Sequence, residues 1–256
     1  MISYFEENYH FKIQKVHWFS EYNIHHRLAE RYRKGNVFLI GDAAHLHNPV
    51  GGQGLNAGIV DAINISWKLA DVIHSIHSPT ILDTYEDERR VYSKNLVKTT
   101  DRAFKGIKFD RKWGNRIREK SIPILLHLIL NQSDALNENL LGRIAQLFIQ
   151  YKDSPLNAED SSLSGKRLPF YKNNCQLTNS MNWQLHIYGK IKPEMRSFLE
   201  KNEELSFYTF EWEKNLSDIG FKENGAYLIR PDGYIAWTSL TQDIESLNNY
   251  KNIWKK

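Results

Sequence analysis

The stretch that decides the reading of this chain is residues 36–56, NVFLIGDAAHLHNPVGGQGLN. Four consecutive apolar residues, Val37, Phe38, Leu39 and Ile40, stand between turn formers, which predicts a strand buried on both faces. The strand stops at Gly41-Asp42. A short polar loop follows, then the glycines Gly51, Gly52 and Gly54, then a long apolar-periodic run. A strand, a glycine-rich turn and a helix amino terminus in succession direct backbone N–H groups at an anion or a polarised carbonyl. In α/β folds such a site lies at the carboxyl ends of the strands.

Downstream, Leu55, Ile59, Ala62, Ile63, Leu69, Ala70, Ile73 and Ile76 recur at three- and four-residue spacing and predict a helix over about 54–76. Asp61 is the only charge in its first two turns, so this end of the helix is expected to be buried. The run from His74 to Pro79 ends it, and a second helix is expected from about Thr80, carrying Leu82, Tyr85, Arg89, Tyr92 and Leu96. Residues 111–151 are helical in composition, interrupted at Pro123 and again around 131–139.

Upstream, Phe11, Ile13, Val16 and Trp18 alternate with polar residues and read as a strand. Towards the carboxyl end, Pro, Asn, Asp and Ser cluster over 151–160, the best linker candidate. Beyond it, 184–188 and 206–212 read as strands, 193–202 as a helix, and 226–229 with 234–237 as a hairpin turning at Pro231-Asp232-Gly233.

Composition bounds the function. The chain has 256 residues, 41% of them hydrophobic, enough for one large domain or two smaller ones. Its 34 basic and 30 acidic residues leave a net charge of +4, mixed along the chain, which argues against a nucleic-acid partner. Cys175 is the only cysteine, which excludes an intrachain disulfide, a cysteine-based zinc site and a CxxC redox pair, and fits a reducing, cytoplasmic location. The first ten residues lack the basic and apolar regions of a secretory signal, and the most apolar later run, 122–130, is about half the length of a membrane span. His45 and His47 form an HxH pair with no third ligand near in sequence; a structural histidine is the better reading, and no metal is expected.

The run GDAAHLHNPVGGQGLNAGIVDAINISWKLA (41–70), followed by ILDTYEDER (81–89), resembles the carboxyl-terminal part of the flavin domain of FAD-dependent aromatic hydroxylases, a family similar to p-hydroxybenzoate and phenol hydroxylases. The resemblance runs without a gap from about Val16 to about Phe104. It implies an α/β fold: residues 1–35 as the end of a substrate-domain sheet, and 36–150 as the carboxyl-terminal part of a Rossmann-like FAD domain with trailing helices. Residues 151–256 would be a thioredoxin-like α/β domain, LIRPDGYIAW (228–237) resembling its end, without CxxC.

For the site, the resemblance implies that Asp42, beside Gly41, accepts hydrogen bonds from the ribityl hydroxyls of FAD. Gly51, Gly52, Gly54, Leu55 and Asn56 would lie against the isoalloxazine ring, Pro49 would place its carbonyl at the reacting face, and Gln53 would orient substrate or flavin. Without the resemblance, Asp42 reads equally well as a turn or helix cap. Glu88 and Arg89 read as a salt-bridged structural pair, and Trp67 and Tyr85 as core. In the family, FAD takes electrons from NADH or NADPH, reacts with dioxygen to give a flavin C4a-hydroperoxide, and hydroxylates an electron-rich, phenolic ring.

A GxGxxG pyrophosphate turn is absent from the 256 residues, and the only Asp-Gly is Asp232-Gly233. The chain therefore reads as the carboxyl-terminal half of a hydroxylase, working with a separate amino-terminal half; family analogy adds a homodimer. A different class of reading is a non-catalytic remnant or interaction module. A third is another reaction type on the same fold, such as epoxidation or halogenation.

Overall fold

The computed structural model describes residues 2–9, 12–20, 25–46, 53–107, 142, 145–158, 163–202 and 204–255. The chain opens with α1 (Ile2–Tyr9) and continues without regular structure over 12–20. Four two-residue strands follow: β1 (Arg27–Leu28), β2 (Arg33–Lys34), β3 (Val37–Phe38) and β4 (His45–Leu46). β1 pairs antiparallel with β4, and β2 with β3. Gly35, at φ +60°, supplies the left-handed residue of the tight β2–β3 turn.

Two expectations are corrected here. The alternating run 11–18 forms no strand over its described residues, and Val16 and Trp18 are 48% and 82% exposed. Alternation specifies a face, but a strand persists only with a partner to pair with. Likewise 37–40 is not buried on both faces: Val37 is 66% and Ile40 43% exposed. Among the described residues β3 has β2 as its single neighbour, so one edge and one face stay open.

The long helix α2 (Gly54–Ile73) buries Ala57, Asp61, Asn64, Ile65, Trp67, Lys68 and Asp71, a stripe at helical spacing. Left-handed Ser75 (φ 57°) turns the chain out of it, and a 3-10 turn at Pro79–Asp83 leads into α3 (Thr84–Ile107). Tyr85 on α3 donates its hydroxyl to Leu39 O at 2.7 Å, and the Glu86 carboxylate accepts from Tyr32 N at 2.7 Å and Arg33 N at 3.2 Å. The second helix thus holds the β2–β3 hairpin. Of the run 111–151 expected to be helical, 111–141, 143 and 144 lie outside the described residues, while 145–151 form a turn and a bridge instead of a helix, with Gln146 left-handed at φ 58°.

After a short helix α4 (Asn174–Leu177) comes a four-stranded sheet: β5 (Gln184–Tyr188), α5 (Pro193–Glu200), β6 (Ser206–Phe210), β7 (Gly225–Ile229), β8 (Ile235–Ser239) and α6 (Ile244–Trp254). The spatial order is β6-β5-β7-β8, with β5 and β6 parallel across the α5 crossover and β7 and β8 antiparallel. Every residue of β5 and β7 is buried, because both faces are covered. Leu185, Ile187, Ala226 and Leu228 join Met195, Leu199, Leu247 and Trp254 on one face. Tyr188, Tyr227 and Ile229 meet Leu163, Leu216 and Phe221 on the other. Asp243 caps α6, its Oδ1 accepting from Ser246 N at 3.0 Å.

The stretch read as a linker is packed instead. Tyr151 and Leu156 are 4% and 0% exposed, Tyr250 donates its hydroxyl to Leu156 O at 2.8 Å, and Ser154 Oγ donates to Glu88 Oε1 at 2.6 Å. Polar composition marked a segment without regular structure. Here its polar atoms find buried partners, so it belongs to the core it crosses. One apolar cluster accordingly runs from Tyr32, Trp67, Ile81 and Tyr85 through to Leu185, Leu228 and Trp237.

Candidate flavin site

Gly41 begins a 3-10 turn, Gly41–Ala43, directly after the apolar strand. Its φ of +55° is a left-handed value that glycine adopts without strain. The turn lies on the second turn of α2, where a Cβ added to Gly58 would stand 3.4 Å from Gly41 Cα. Two glycines facing each other let the strand end and the helix meet at backbone distance.

Asp42 is exposed on this turn, as is Ala43, and its carboxylate makes no hydrogen bond to any described residue. The capping reading is therefore not realised among them. Next to it, α2 begins after Gln53, whose side chain does not cap the first N–H groups, so the positive end of the helix dipole lies beside the turn. Leu55 is 77% exposed on the first turn. The Gln53 side chain is turned towards α3, its Oε1 accepting from the Tyr92 hydroxyl at 3.5 Å, while its backbone carbonyl accepts from Gln146 Nε2 at 3.4 Å. Gly41, Asp42, Gln53, Gly54, Leu55 and Asn56 thus lie along one strand-to-helix junction. Pro49, Gly51, Gly52 and His47 lie outside the described residues.

Behind the junction sits a group that sequence reasoning passed over. Asp61, 0% exposed, accepts from Gly41 N at 3.0 Å, pairs with His45 Nε2 at 2.8 Å and binds Arg89 Nε at 2.6 Å. Burial pushes its carboxyl up, but the His45 hydrogen bond and the Arg89 guanidinium outweigh it and hold Asp61 below the usual carboxylate range. Arg89 also donates to Ala57 O at 3.2 Å and to the Tyr151 hydroxyl at 3.1 Å. The signal in the sequence was the lone charge in an otherwise apolar first two turns of α2. His45 is buried and paired with Asp61, and no cluster of metal-binding side chains occurs among the described residues.

A second buried ionic cluster joins α3 to the β7–β8 turn. Glu88 receives Arg230 Nη1 at 2.5 Å, Arg230 Nη2 at 3.0 Å, Lys68 Nζ at 2.9 Å and Asn64 Nδ2 at 2.7 Å. Arg230 also binds Asp232 Oδ2 at 2.6 Å. Burial raises the Glu88 carboxyl, yet Arg230 and Lys68 drive it far below its ordinary value. Burial lowers Lys68 to about 8 against the pull of Glu88. Trp67 is core, 3% exposed, with Trp183 edge-on at 5.5 Å. Glu88 and Arg89 are ion-paired structural residues, as read from the sequence.

The donor set fits a flavin. A carboxylate on a glycine turn, without a partner among the described residues, suits the hydroxyls of a ribityl chain, and a helix amino terminus suits the electron-rich edge of an isoalloxazine. Comparison with known proteins agrees: residues 8–100 match the family described as FAD binding domain.

The similar proteins include monooxygenases. The chain is 35% identical over 239 residues to the 12-dehydrotetracycline 5-monooxygenase/anhydrotetracycline 6-monooxygenase of Streptomyces rimosus, covering 90% of this chain and 45% of that protein. It is 33% identical to an uncharacterised aromatic compound monooxygenase of Bacillus subtilis, covering 86% of this chain and 43% of that one. The solved anhydrotetracycline hydroxylase of Streptomyces rimosus superposes with a TM-score of 0.67 at 30% identity, over 90% of this chain and 46% of the hydroxylase. The chain therefore spans about half the length of the relatives it matches. Among the described residues, no helix is long and apolar enough to cross a membrane.

Proposed function

We propose that this chain forms the ribityl and ring wall of an FAD- and NAD(P)H-dependent monooxygenase that hydroxylates a phenolic aromatic compound. The observation that carries the reading is the Asp42 carboxylate on the Gly41 turn, without a partner among the described residues, beside the start of α2, where Gln53 makes no side-chain cap. FAD would supply acceptance of hydride from NAD(P)H and activation of dioxygen for insertion into an electron-rich ring. The chain's own residues hold and orient it. Asp42 accepts from the ribityl hydroxyls, while Gly51, Gly52, Gly54, Leu55 and Asn56 present backbone N–H groups to the ring. By the resemblance, Pro49 would place its carbonyl at the reacting face and Gln53 would orient substrate or flavin. The pyrophosphate contacts come from a polypeptide segment beyond these residues, on the same or another chain, and family analogy extends to a homodimer.

Residues 151–256 fit a thioredoxin-like reading, supported by the βαβ unit followed by ββα and by the order β6-β5-β7-β8. With Cys175 as the single cysteine, that unit has no dithiol chemistry. Its part is to brace α3 through Arg230 and Glu88.

A non-catalytic interaction module is favoured by one observation, the exposed apolar face made by Val37, Ile40, Leu55, Ile59, Ile63 and Ile73. The two readings separate in a titration of FAD with the purified chain, followed by flavin fluorescence, alone and after adding a polypeptide carrying the upstream half of a relative. Quenching that appears with the upstream half and is lost in Asp42→Ala supports the flavin wall. Absence of quenching in both mixtures overturns it in favour of the interaction module.

A further inference from the structure

We propose that Asp61 and Arg89 are the positioning pair of the flavin wall, a single buried ion pair that fixes both of its halves from behind. The proposal rests on the flavin reading above and adds the residues that set its geometry.

The wall has two parts, the Gly41-Asp42 turn and the first turns of α2. The ion pair touches each. Asp61 Oδ2 accepts the amide of Gly41, the residue directly before the flavin-facing carboxylate, at 3.0 Å. Arg89 Nη2 reaches the Ala57 carbonyl, one turn from the start of α2, at 3.2 Å. The two side chains are joined at 2.6 Å, and neither is exposed to solvent. A movement of the Gly41 turn relative to the helix therefore has to break a charge-assisted bond in a site without water to replace it.

The chemistry of both residues is specific. Each Asp61 oxygen faces donors: Oδ2 meets Gly41 N–H and His45 Nε2, and Oδ1 meets the Arg89 guanidinium. An asparagine of the same shape has to turn an NH2 group towards one of these, donor against donor. Arg89 uses its fork on three acceptors at once, Asp61, Ala57 O and the Tyr151 hydroxyl, which a lysine point charge cannot span. Gly41 adds a geometric reason: its left-handed φ of +55° gives the turn alternatives that a residue with a Cβ lacks, so an external bond has to select one.

The test uses the full chain with Asp61→Asn, Arg89→Lys and Tyr151→Phe, the last removing only the outermost bond of the network. Two readouts are taken on each folded variant: the amide resonance of Gly41 in a nitrogen–proton correlation spectrum, and the Kd for FAD in the quenching assay with the upstream polypeptide. Asp61→Asn and Arg89→Lys are expected to shift the Gly41 amide and raise Kd ten-fold or more. Tyr151→Phe is expected to move both in the same direction by a smaller factor, about two- to five-fold, and decides the matter should the other two fail to fold. A lowered melting temperature with the Gly41 amide and Kd unchanged overturns the proposal, leaving a purely structural pair. Failure of the wild type to bind FAD removes the flavin reading and this proposal together, whereas binding by wild type and variants alike removes this proposal alone.

Discussion

Glu88 and Arg230 lie 142 positions apart and meet as a two-point ion pair with neither side chain exposed, Nη1 to Oε1 at 2.5 Å and Nη2 to Oε2 at 3.0 Å. Glu88→Ala leaves Arg230 and Lys68 as neighbouring buried cations with Asp232 as their remaining carboxylate. Breaking a buried pair from one side destabilises by about 3–5 kcal/mol. Urea unfolding followed by tryptophan fluorescence is expected to show an unfolding free energy lowered by that amount; a change below about 1 kcal/mol would refute the pairing.

Acid sensitivity has a distinct source in the sheet. His186, 0% exposed on β5, is lowered by burial to about 4 from 6.5. Between pH 6.5 and about 4 the unfolded chain takes up a proton that the folded chain refuses, so stability falls as pH falls through that window, by up to roughly 3 kcal/mol. The depressed carboxyls of Glu88 and Asp61 act below it, since stability they add above the unfolded carboxylate range is lost as pH drops towards their folded values. His186→Phe is expected to flatten the upper part of the stability profile from pH 7 to 4.5 and leave the lower part. An unaltered profile would assign the acid response elsewhere.

Gly41→Ala forces a side chain into a left-handed conformation, at about 1–2 kcal/mol. The added Cβ itself meets Gly58 Cα at an ordinary 3.6 Å. The loss is expected to come from the backbone, so Gly58→Ala, with 3.4 Å to spare and no left-handed φ, is expected to be the milder change. Paired thermal melts check the order, and the reverse ranking would point to crowding instead.

Leu156, 0% exposed, packs within the shared core although its neighbourhood is polar. Leu156→Ala is expected to lower stability by about 2–5 kcal/mol, as for a buried leucine. A linker residue would change it by under about 0.5 kcal/mol, so calorimetry separates the two descriptions.

What the sequence made legible was local. β5 and the β7–β8 hairpin fell within a residue or two of their observed bounds, because pattern and turn chemistry act over neighbours: Pro231-Asp232-Gly233 carries the φ of +78° that the turn needs. α2 and the Gly41-Asp42 junction were legible for the same reason. What was not legible depends on partners far away in sequence. The run 11–18 alternates like a strand but has no strand beside it, and 151–158 is polar like a linker but lies between Glu88 and Tyr250. Lys68 and Arg230 look like surface charges until the fold brings their counter-ion Glu88 to them. Of the flavin wall, Asp42 could be named in advance, whereas the Asp61–Arg89 pair behind it could not, since 28 positions separate the two on different helices.

The reach of Arg230 back to α3 also sets an order of events at the ribosome. Glu88 leaves the exit tunnel long before its counter-ion is made, and Lys68 alone stands by to neutralise it. Until the β7–β8 turn emerges, α2 and α3 carry a carboxylate that stays wet, and the apolar surface of Trp67 waits uncovered beside it. The β7–β8 turn must be translated before α2 and α3 can close, so nascent chains that end before Arg230 present α2 and α3 as chaperone substrates.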